Sequence, residues 1–222
     1  MFSIVSFDQL PSTNDYLKQY YQDYPNQTII LAKYQTHGRG RFDRIWESNQ
    51  DLTFSILFSC GKTHGLIAPL AIVNALSTYG IKAMIKWPND VLVHGKKVCG
   101  ILVERVYEGN QPVVDIVGIG VNLSEKKELA DKAGCIPLPK NELFTEILFQ
   151  YEQLMSQDNS ELLQKIKNVS YLDGKKILLD GIIWEVDGME EHGYLCVHHE
   201  ATIRILKSEE VTLDAIYEKE QL

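Results

Sequence analysis

Ala83-Met84-Ile85-Lys86-Trp87-Pro88-Asn89-Asp90-Val91-Leu92-Val93-His94-Gly95-Lys96-Lys97-Val98-Cys99-Gly100-Ile101-Leu102-Val103-Glu104 is the stretch on which the fold turns. Ala83 to Trp87 reads as a short strand that runs into Pro88, whose fixed φ makes a rigid turn. Val91 to Val93 and Lys97 to Tyr107 are apolar, β-rich runs. They flank His94-Gly95, a two-residue hairpin signal. Upstream, Phe2 to Phe7 and Thr28 to Gln35 read as strands, separated by a helix that Pro11-Ser12-Thr13-Asn14-Asp15 opens and that runs to about Gln22. Ser12 with Asp15 three residues on gives that helix a start like a capping box. A long loop rich in Gly, Arg and polar residues follows, Thr36 to Asp51; loops this long inside a compact domain are commonly functional or disordered. Leu52 to Ser59 is a further strand, and Gly65 to Tyr79 has helical periodicity ending at Gly80. Downstream come a strand over Val113 to Leu123 and helices over Lys140 to Met155 and Ser160 to Val169. Strands and helices mix without a regular βαβ rhythm, so the fold class expected is α+β with a mixed or antiparallel sheet.

From Tyr171 the pattern changes to short apolar runs: Lys175 to Leu179, Ile182 to Val186, Tyr194 to Val197 and Thr202 to Leu206. Asp180-Gly181, Asp187-Gly188 and His192-Gly193 punctuate them as turns. A small β-barrel of about fifty residues is expected there, near the lower limit for independent folding. The domains expected are therefore 1–170 and 171–222.

Composition narrows the function classes. Of 222 residues 45% are hydrophobic, enough for a core, and no apolar stretch approaches a membrane span. No basic, then apolar N-terminal pattern of a secretory signal is present, so a cytoplasmic location is the default expectation. Cys60, Cys99, Cys135 and Cys196 are widely spaced and read as reduced thiols. His198-His199-Glu200 looks like a metal cluster, but neighbours on a strand face opposite ways, and a hairpin surface is the better reading. The net charge of −8 argues against a broad nucleic-acid-binding face.

Against that acidic background Gly38-Arg39-Gly40-Arg41-Phe42-Asp43-Arg44-Ile45-Trp46 stands out. Three guanidiniums in six residues repel one another unless an anion compensates, and the planar fork of arginine suits phosphate oxygens. Gly38 and Gly40 permit close backbone approach to a ligand. Taken alone, the loop reads equally as a solvated basic turn, and it lacks the spacing of a Walker loop. Lys86 at a strand end can place a cation beside a pocket, although a generic strand-end lysine is usually just solvated. One charge contact at ~4 Å and an effective dielectric near 20 is worth roughly 4 kcal/mol. Gly118-Ile119-Gly120-Val121-Asn122 begins like a dinucleotide fingerprint but has Leu123 at the third glycine position. Glycines at a strand end that admit a ligand remain the reading there. Ser12-Thr13-Asn14 is explained by helix capping, which leaves further hydroxyls and amides free to face a pocket.

Together these segments resemble one family in order and spacing, the biotin protein ligases. The segments are Ser12-Thr13-Asn14, Gln35 to Arg41 with Trp46, Lys86 to Asp90, Gly95 to Glu104 and Gly118 to Asn122, and Gly188 to Leu195 resembles part of the family's SH3-like C-terminal domain. The resemblance covers nearly the whole chain. It implies a class II synthetase-like catalytic domain with an SH3-like barrel, and a ligase that makes biotinyl-5′-AMP from biotin and ATP with Mg²⁺. Biotin would then pass to a lysine of a carboxylase's biotin carboxyl carrier protein. It also implies roles. Lys86, Arg39 and Arg41 would be catalytic, offsetting the repulsion between carboxylate and α-phosphate. Ser12, Thr13, Asn14 and Gln35 would surround the biotin head group. Gly38, Gly40, Gly100 and Gly118 would let backbone approach it, with Arg39, Arg41 and Lys86 nearby. Arg41, Arg44, Trp46, Lys86 and Asn122 would serve ATP; the metal ligands are not implied. Two positions depart from the family pattern, Asp43 where Gly is frequent and His37 where a small residue is common, and the loop over 124–139 matches nothing. Some members carry an N-terminal DNA-binding domain; this sequence begins at the catalytic segment, so no nucleic-acid or membrane partner is expected, while a homodimer is compatible. A lipoate or octanoate ligase or transferase on a related fold, and a non-catalytic biotin-binding sensor, are the alternatives. The intact arginine loop and Lys86 favour the ligase.

Overall fold

The hairpin signal at His94-Gly95 is realised as a turn with both residues at positive φ, 50° and 76°. It joins β5 (Asp90–Val93) to β6 (Lys96–Glu108), and β4 (Ala83–Lys86) lies outside β5. With β1 (Ser3–Leu10), β2 (Thr28–Gln35), β3 (Leu52–Ser59) and β7 (Gln111–Val121) they form one seven-stranded sheet in the order β1-β2-β3-β7-β6-β5-β4. The structure is a computed structural model that describes residues 1–48, 51–61, 63–125, 133–190, 192–208 and 215–217. The side chain of Asp43 and the 126–132 part of the unmatched loop lie outside the described residues.

The sheet is mixed, as expected. β1 and β2 are parallel, joined across α1 (Thr13–Tyr20), and every other neighbouring pair is antiparallel. Helices cover both faces. α2 (His64–Thr78), α3 (Lys140–Leu154) and α4 (Asn159–Val169) pack on one face, where Leu52, Phe54, Ile56, Val117, Ile119 and Val121 point. α2 is buried almost all round, with Leu66, Ile67, Leu70, Ile72 and Leu76 at most 1% exposed, because it is sandwiched between the sheet and the other two helices. On the opposite face the short α1 is the helix that packs among the described residues, through Leu17 against Ile30, Leu57 and Ile116. Elsewhere on that face the Trp46 ring lies over Gly100 and Gly120.

Several boundaries differ from the expectations. β1 continues to Leu10, and α1 ends at Tyr20 with a 3-10 turn over Tyr21–Asp23. Trp87 belongs to the turn after β4 rather than to the strand. β7 starts two residues earlier than the apolar pattern suggests, because Gln111 and Pro112 pair with β6 at the hairpin end. Gly80, at φ +73°, follows the end of α2 as the sequence indicates.

The C-terminal residues form a second sheet of five antiparallel strands, β11-β10-β9-β8-β12. These are β8 (Lys176–Leu179), β9 (Ile182–Met189), β10 (Leu195–His199), β11 (Thr202–Leu206) and β12 (Ala215–Tyr217); the last had no sequence signal. Its core of Ile177, Leu179, Trp184, Val186, Leu195 and Val197 includes one residue from the first sheet's turns, Trp87. The Trp87 ring is 3% exposed, and its Nε1 donates to the Gly193 carbonyl at 2.9 Å. Tyr171 N donates to Ile85 O at 2.8 Å, so the connecting segment is also tied to β4. Trp87→Ala removes this indole and its hydrogen bond. It should destabilise the chain by about 3–5 kcal/mol, the usual cost of emptying a buried aromatic site. Urea unfolding followed by Trp184 fluorescence and far-UV dichroism checks this; a loss below about 1 kcal/mol means Trp87 does not join the two sheets.

Candidate functional site

Strand register builds the floor of the face that carries α1. Lys86 pairs with Asp90, Asp90 with Gly100, Gly100 with Gly120, and Gly120 with Thr53. Directly opposed residues of antiparallel strands share a face. Two positions along, Leu102, Gly118 and Ser55 form the next row, and then Glu104, Ile116 and Leu57. The glycines thus stand where side chains would rise toward the cleft. Other side chains occupy the space. A Cβ on Gly118 would lie 2.2 Å from Asn14 Oδ1, and one on Gly120 would lie 2.5 Å from the Trp46 ring. One on Gly100 would lie 2.9 Å from the same ring. This is why β6 and β7 break their apolar alternation with glycine.

The start of α1 supplies one wall. Ser12 caps the helix, its Oγ accepting from Asp15 N at 3.3 Å. Thr13 donates to Gln35 Oε1 through both N, at 2.7 Å, and Oγ1, at 3.1 Å. Ser55 Oγ lies 2.6 Å from Thr13 Oγ1 and 2.5 Å from Asn14 Oδ1. Asn14 Nδ2 donates to Glu104 Oε2 at 2.7 Å and to Leu102 O at 3.3 Å. Ser12, Thr13, Asn14, Gln35 and Ser55 are all buried, so these polar groups are placed by one another rather than by water.

The arginine loop supplies the rim. It is a tight hairpin in which Trp46 N donates to Gly38 O at 2.8 Å and Gly40 N to Arg44 O at 2.7 Å. Its tip is a 3-10 turn over Arg41–Asp43 with Phe42 at φ 54°. The three arginines differ. Arg39 makes a two-pronged bond to Asp15, with Nε at 3.0 Å from Oδ2 and Nη2 close to Oδ1, and its Nη2 lies 3.3 Å from Glu104 Oε2. Glu104 also holds Lys18 Nζ at 2.5 Å. The hydrogen bonds that Arg39 donates to Asp15 outweigh its burial and strengthen its hold on its proton. Burial alone would raise the pKa of Asp15, but Arg39 and Lys18 prevail and hold it below the usual carboxylate range. Arg41 donates to the Ser208 carbonyl and lies 4.8 Å from the centre of the Phe42 ring. Arg44 is exposed and has no ion-pair partner among the described residues.

These elements enclose a cleft of about 240 Å³. Of the residues expected to bind a ligand, Ser12, Thr13, Asn14 and Gln35 line it, as do Arg39, Gly40, Arg41, Arg44, Trp46, Lys86, Gly100 and Gly118. Lys86 Nζ has no hydrogen-bond or ion-pair partner among the described residues. Two expected residues do not line the cleft. Gly38 sits behind the loop, where a Cβ would meet Trp46 O at 2.4 Å, so its smallness serves the hairpin rather than a ligand. Asn122 is 2% exposed and donates to Lys97 O and Gly134 O at 3.2 and 3.0 Å, tying the segment after β7 to β6. Asn89, Asp90 and Lys97 line the cleft without having been singled out. Lys97 pairs with Asp90 at 2.6 Å and lies 5.4 Å from the Trp46 ring centre. Their signal was in the two motifs that contain them. Ser55, Asp15 and Glu104 act through contacts between distant segments; Asp15 was marked only as part of a helix start, and for Ser55 no local signal exists.

A sheet face floored by glycines, walled by a capped helix and rimmed by arginines can hold a flat polar ring at one end and an anion at the other. The family model described as Biotin/lipoate A/B protein ligase family matches residues 6–122. The bifunctional ligase/repressor BirA of Bacillus spizizenii is 36% identical over 113 residues, 47% of this chain and 35% of that protein. The biotin--[acetyl-CoA-carboxylase] ligase of Paracoccus denitrificans is 38% identical over 105 residues, 43% of this chain and 44% of that one. These matches thus span less than half the length of the curated relatives. Among solved structures, the biotin protein ligase of Aquifex aeolicus in complex with biotin and ATP superposes with a TM-score of 0.81 at 27% identity, over 96% of this chain and 99% of that one. The match to residues 6–122 contains the helix start, the arginine loop, the glycine rows and Lys86, and the chain belongs to the biotin/lipoate A/B protein ligase family.

Proposed function

We propose that this chain is a biotin protein ligase, which adenylates biotin with ATP and transfers it to a lysine of a carboxylase's biotin carboxyl carrier protein. The observation that carries the reading is Lys86, a lysine with no partner among the described residues at the end of the glycine-floored row in the cleft. A carboxylate is a poor acyl donor until its oxygen is joined to phosphate. The two anions must approach each other, and an uncompensated ammonium between them lowers that cost. Arg41, which donates to the Ser208 carbonyl and lies beside the Phe42 ring, stands on the rim of the cleft and would take a phosphate there. Arg39 is already neutralised by Asp15 and Glu104; its part is to anchor the base of the loop.

In this reading Ser12, Thr13, Asn14 and Gln35 hold the biotin head group, while Gly100 and Gly118 let it lie on the sheet. Arg44 and Trp46 serve the nucleotide, and Trp46 swings off Gly120 to admit it. Mg²⁺ fits the cleft, since Asp90 is the sole carboxylate lining it among the described residues, and magnesium at phosphates commonly takes one or two carboxylates. When bound, the ion would neutralise phosphate charge; Asp90 and Asn89 would hold it. Residues 171–222 are read as an SH3-like barrel and 1–170 as the catalytic domain. In this reading the enzyme is cytoplasmic, without a nucleic-acid or membrane partner; the net charge of −8 argues against a broad nucleic-acid-binding face, and a homodimer is compatible with the edge position of β1 in the first sheet.

Incubation with ATP, Mg²⁺, biotin and a biotin carrier domain should add one biotinyl group to the carrier, read by mass, and lipoate should not replace biotin. Biotin binding without ATP consumption would reduce the chain to a sensor. Lys86→Ala should lower biotin-dependent pyrophosphate exchange about 100-fold or more, the size of losing one charge-stabilising donor. Near-normal exchange removes Lys86 from the chemistry. Arg41→Gly should release biotinyl-AMP into solution faster than wild type, because loop closure is weakened. Unchanged release, followed by trapping with hydroxylamine, means that the loop does not shield the adenylate.

A further inference from the structure

The geometry points to Glu104 as a positioning residue that sets the hydrogen-bond polarity of the head-group pocket by fixing which way the Asn14 amide faces. This rests on the biotin-ligase reading above and adds to it a determinant of head-group specificity. An asparagine amide has a donating and an accepting end that differ little in shape, and its surroundings choose between them. Around Asn14 the choice is forced. Glu104 Oε2 at 2.7 Å and Leu102 O at 3.3 Å accept only, so Nδ2 must face them, and its two hydrogens are then used. Oδ1 consequently turns toward Ser55 Oγ at 2.5 Å, over Gly118 and into the cleft. A carbonyl oxygen accepts two hydrogen bonds, and Ser55 can give at most one. Asn14 therefore offers the cleft an acceptor and no donor.

Gln35 has the opposite polarity. Its Oε1 is taken by Thr13 N and Oγ1, which leaves Nε2 as its remaining polar end. The acceptor that Asn14 fixes is the complement of a ring N–H, as in a cyclic urea. A ring oxygen in place of that N–H would face Asn14 Oδ1 with no hydrogen between them. Glu104 is itself held on the sheet by Lys18 at 2.5 Å and Arg39 at 3.3 Å, so it cannot rotate away without breaking both pairs. Glu104→Gln keeps the shape but brings an amide that can either accept or donate, so the orientation of Asn14 is left to the longer bond to Leu102 O at 3.3 Å and its bias is weakened.

The test uses the full chain, biotin, and a cyclic carbamate analogue in which one ring N–H is replaced by oxygen, with binding measured by calorimetry without ATP. Wild type should prefer biotin about tenfold or more, and Glu104→Gln should cut that preference to about threefold or less, on the scale of one lost buried hydrogen bond. Glu104→Asp, which keeps an acceptor-only group, should retain more of the preference than Glu104→Gln. Equal preference in wild type and Glu104→Gln overturns the inference. Failure of wild type to bind biotin at all would instead remove the underlying ligase reading. Should Glu104→Gln not fold, hydrogen exchange at the Asn14 side-chain amide of wild type decides. Slow exchange both with and without biotin supports the fixed orientation, and fast exchange in either state overturns it.

Discussion

A β-sheet can receive a ligand on its face only where its own side chains do not stand in the way. Here that condition is met by Gly100, Gly118 and Gly120, brought side by side through the pairing of β6 with β7. Everything else in the cleft depends on that clearing. Asn14 can lie on Gly118 and the Trp46 ring on Gly100 and Gly120 only because no Cβ is present. The same strands turn Val117, Ile119 and Val121 into the core beneath, so the floor of the cleft and the packing of α2 are two faces of one alternating pattern.

Charge is arranged by the same economy of position. The acidic chain concentrates cations around one opening, and the structure sorts them by partner. Arg39 and Lys18 are neutralised by Asp15 and Glu104, Lys97 by Asp90, and Arg41 donates to the Ser208 carbonyl beside the Phe42 ring. Lys86 meets none among the described residues. Exposed ion pairs in general contribute about 0–1 kcal/mol to stability, whereas the partly buried pair of Arg39 with Asp15 holds a side chain of the rim in place.

Much of this was legible in the sequence because it depends on local chemistry. The hairpin at His94-Gly95, the cap at Ser12 and the stop at Gly80 are properties of a few adjacent residues, and each fell where local rules put it. The motif order also marked most of the cleft. What could not be read was pairing between distant segments. Nothing near Ser55 says that it will touch Asn14, and nothing near Arg39 says that two carboxylates, one 24 and one 65 residues away, will neutralise it. Gly38 and Asn122 show the converse limit. Both belong to ligand-like motifs, yet one lets a hairpin close and the other ties a segment down, because a motif records where a residue is needed and not which neighbour needs it. β12 escaped notice because three residues carry too little alternation to register.

Trp87 sits at the seam between the two sheets, its neighbours in the turn lining the cleft and its ring filling the smaller core. One side chain therefore answers to two selections at once. A change that loosens the small sheet displaces Pro88, Asn89 and Asp90, and a change that reshapes the turn withdraws an indole from the small core. Variation at this position cannot trade foldedness against activity, since both are properties of the same few atoms. Sequence drift in the C-terminal sheet should consequently be paced by the geometry of a turn that it does not contain.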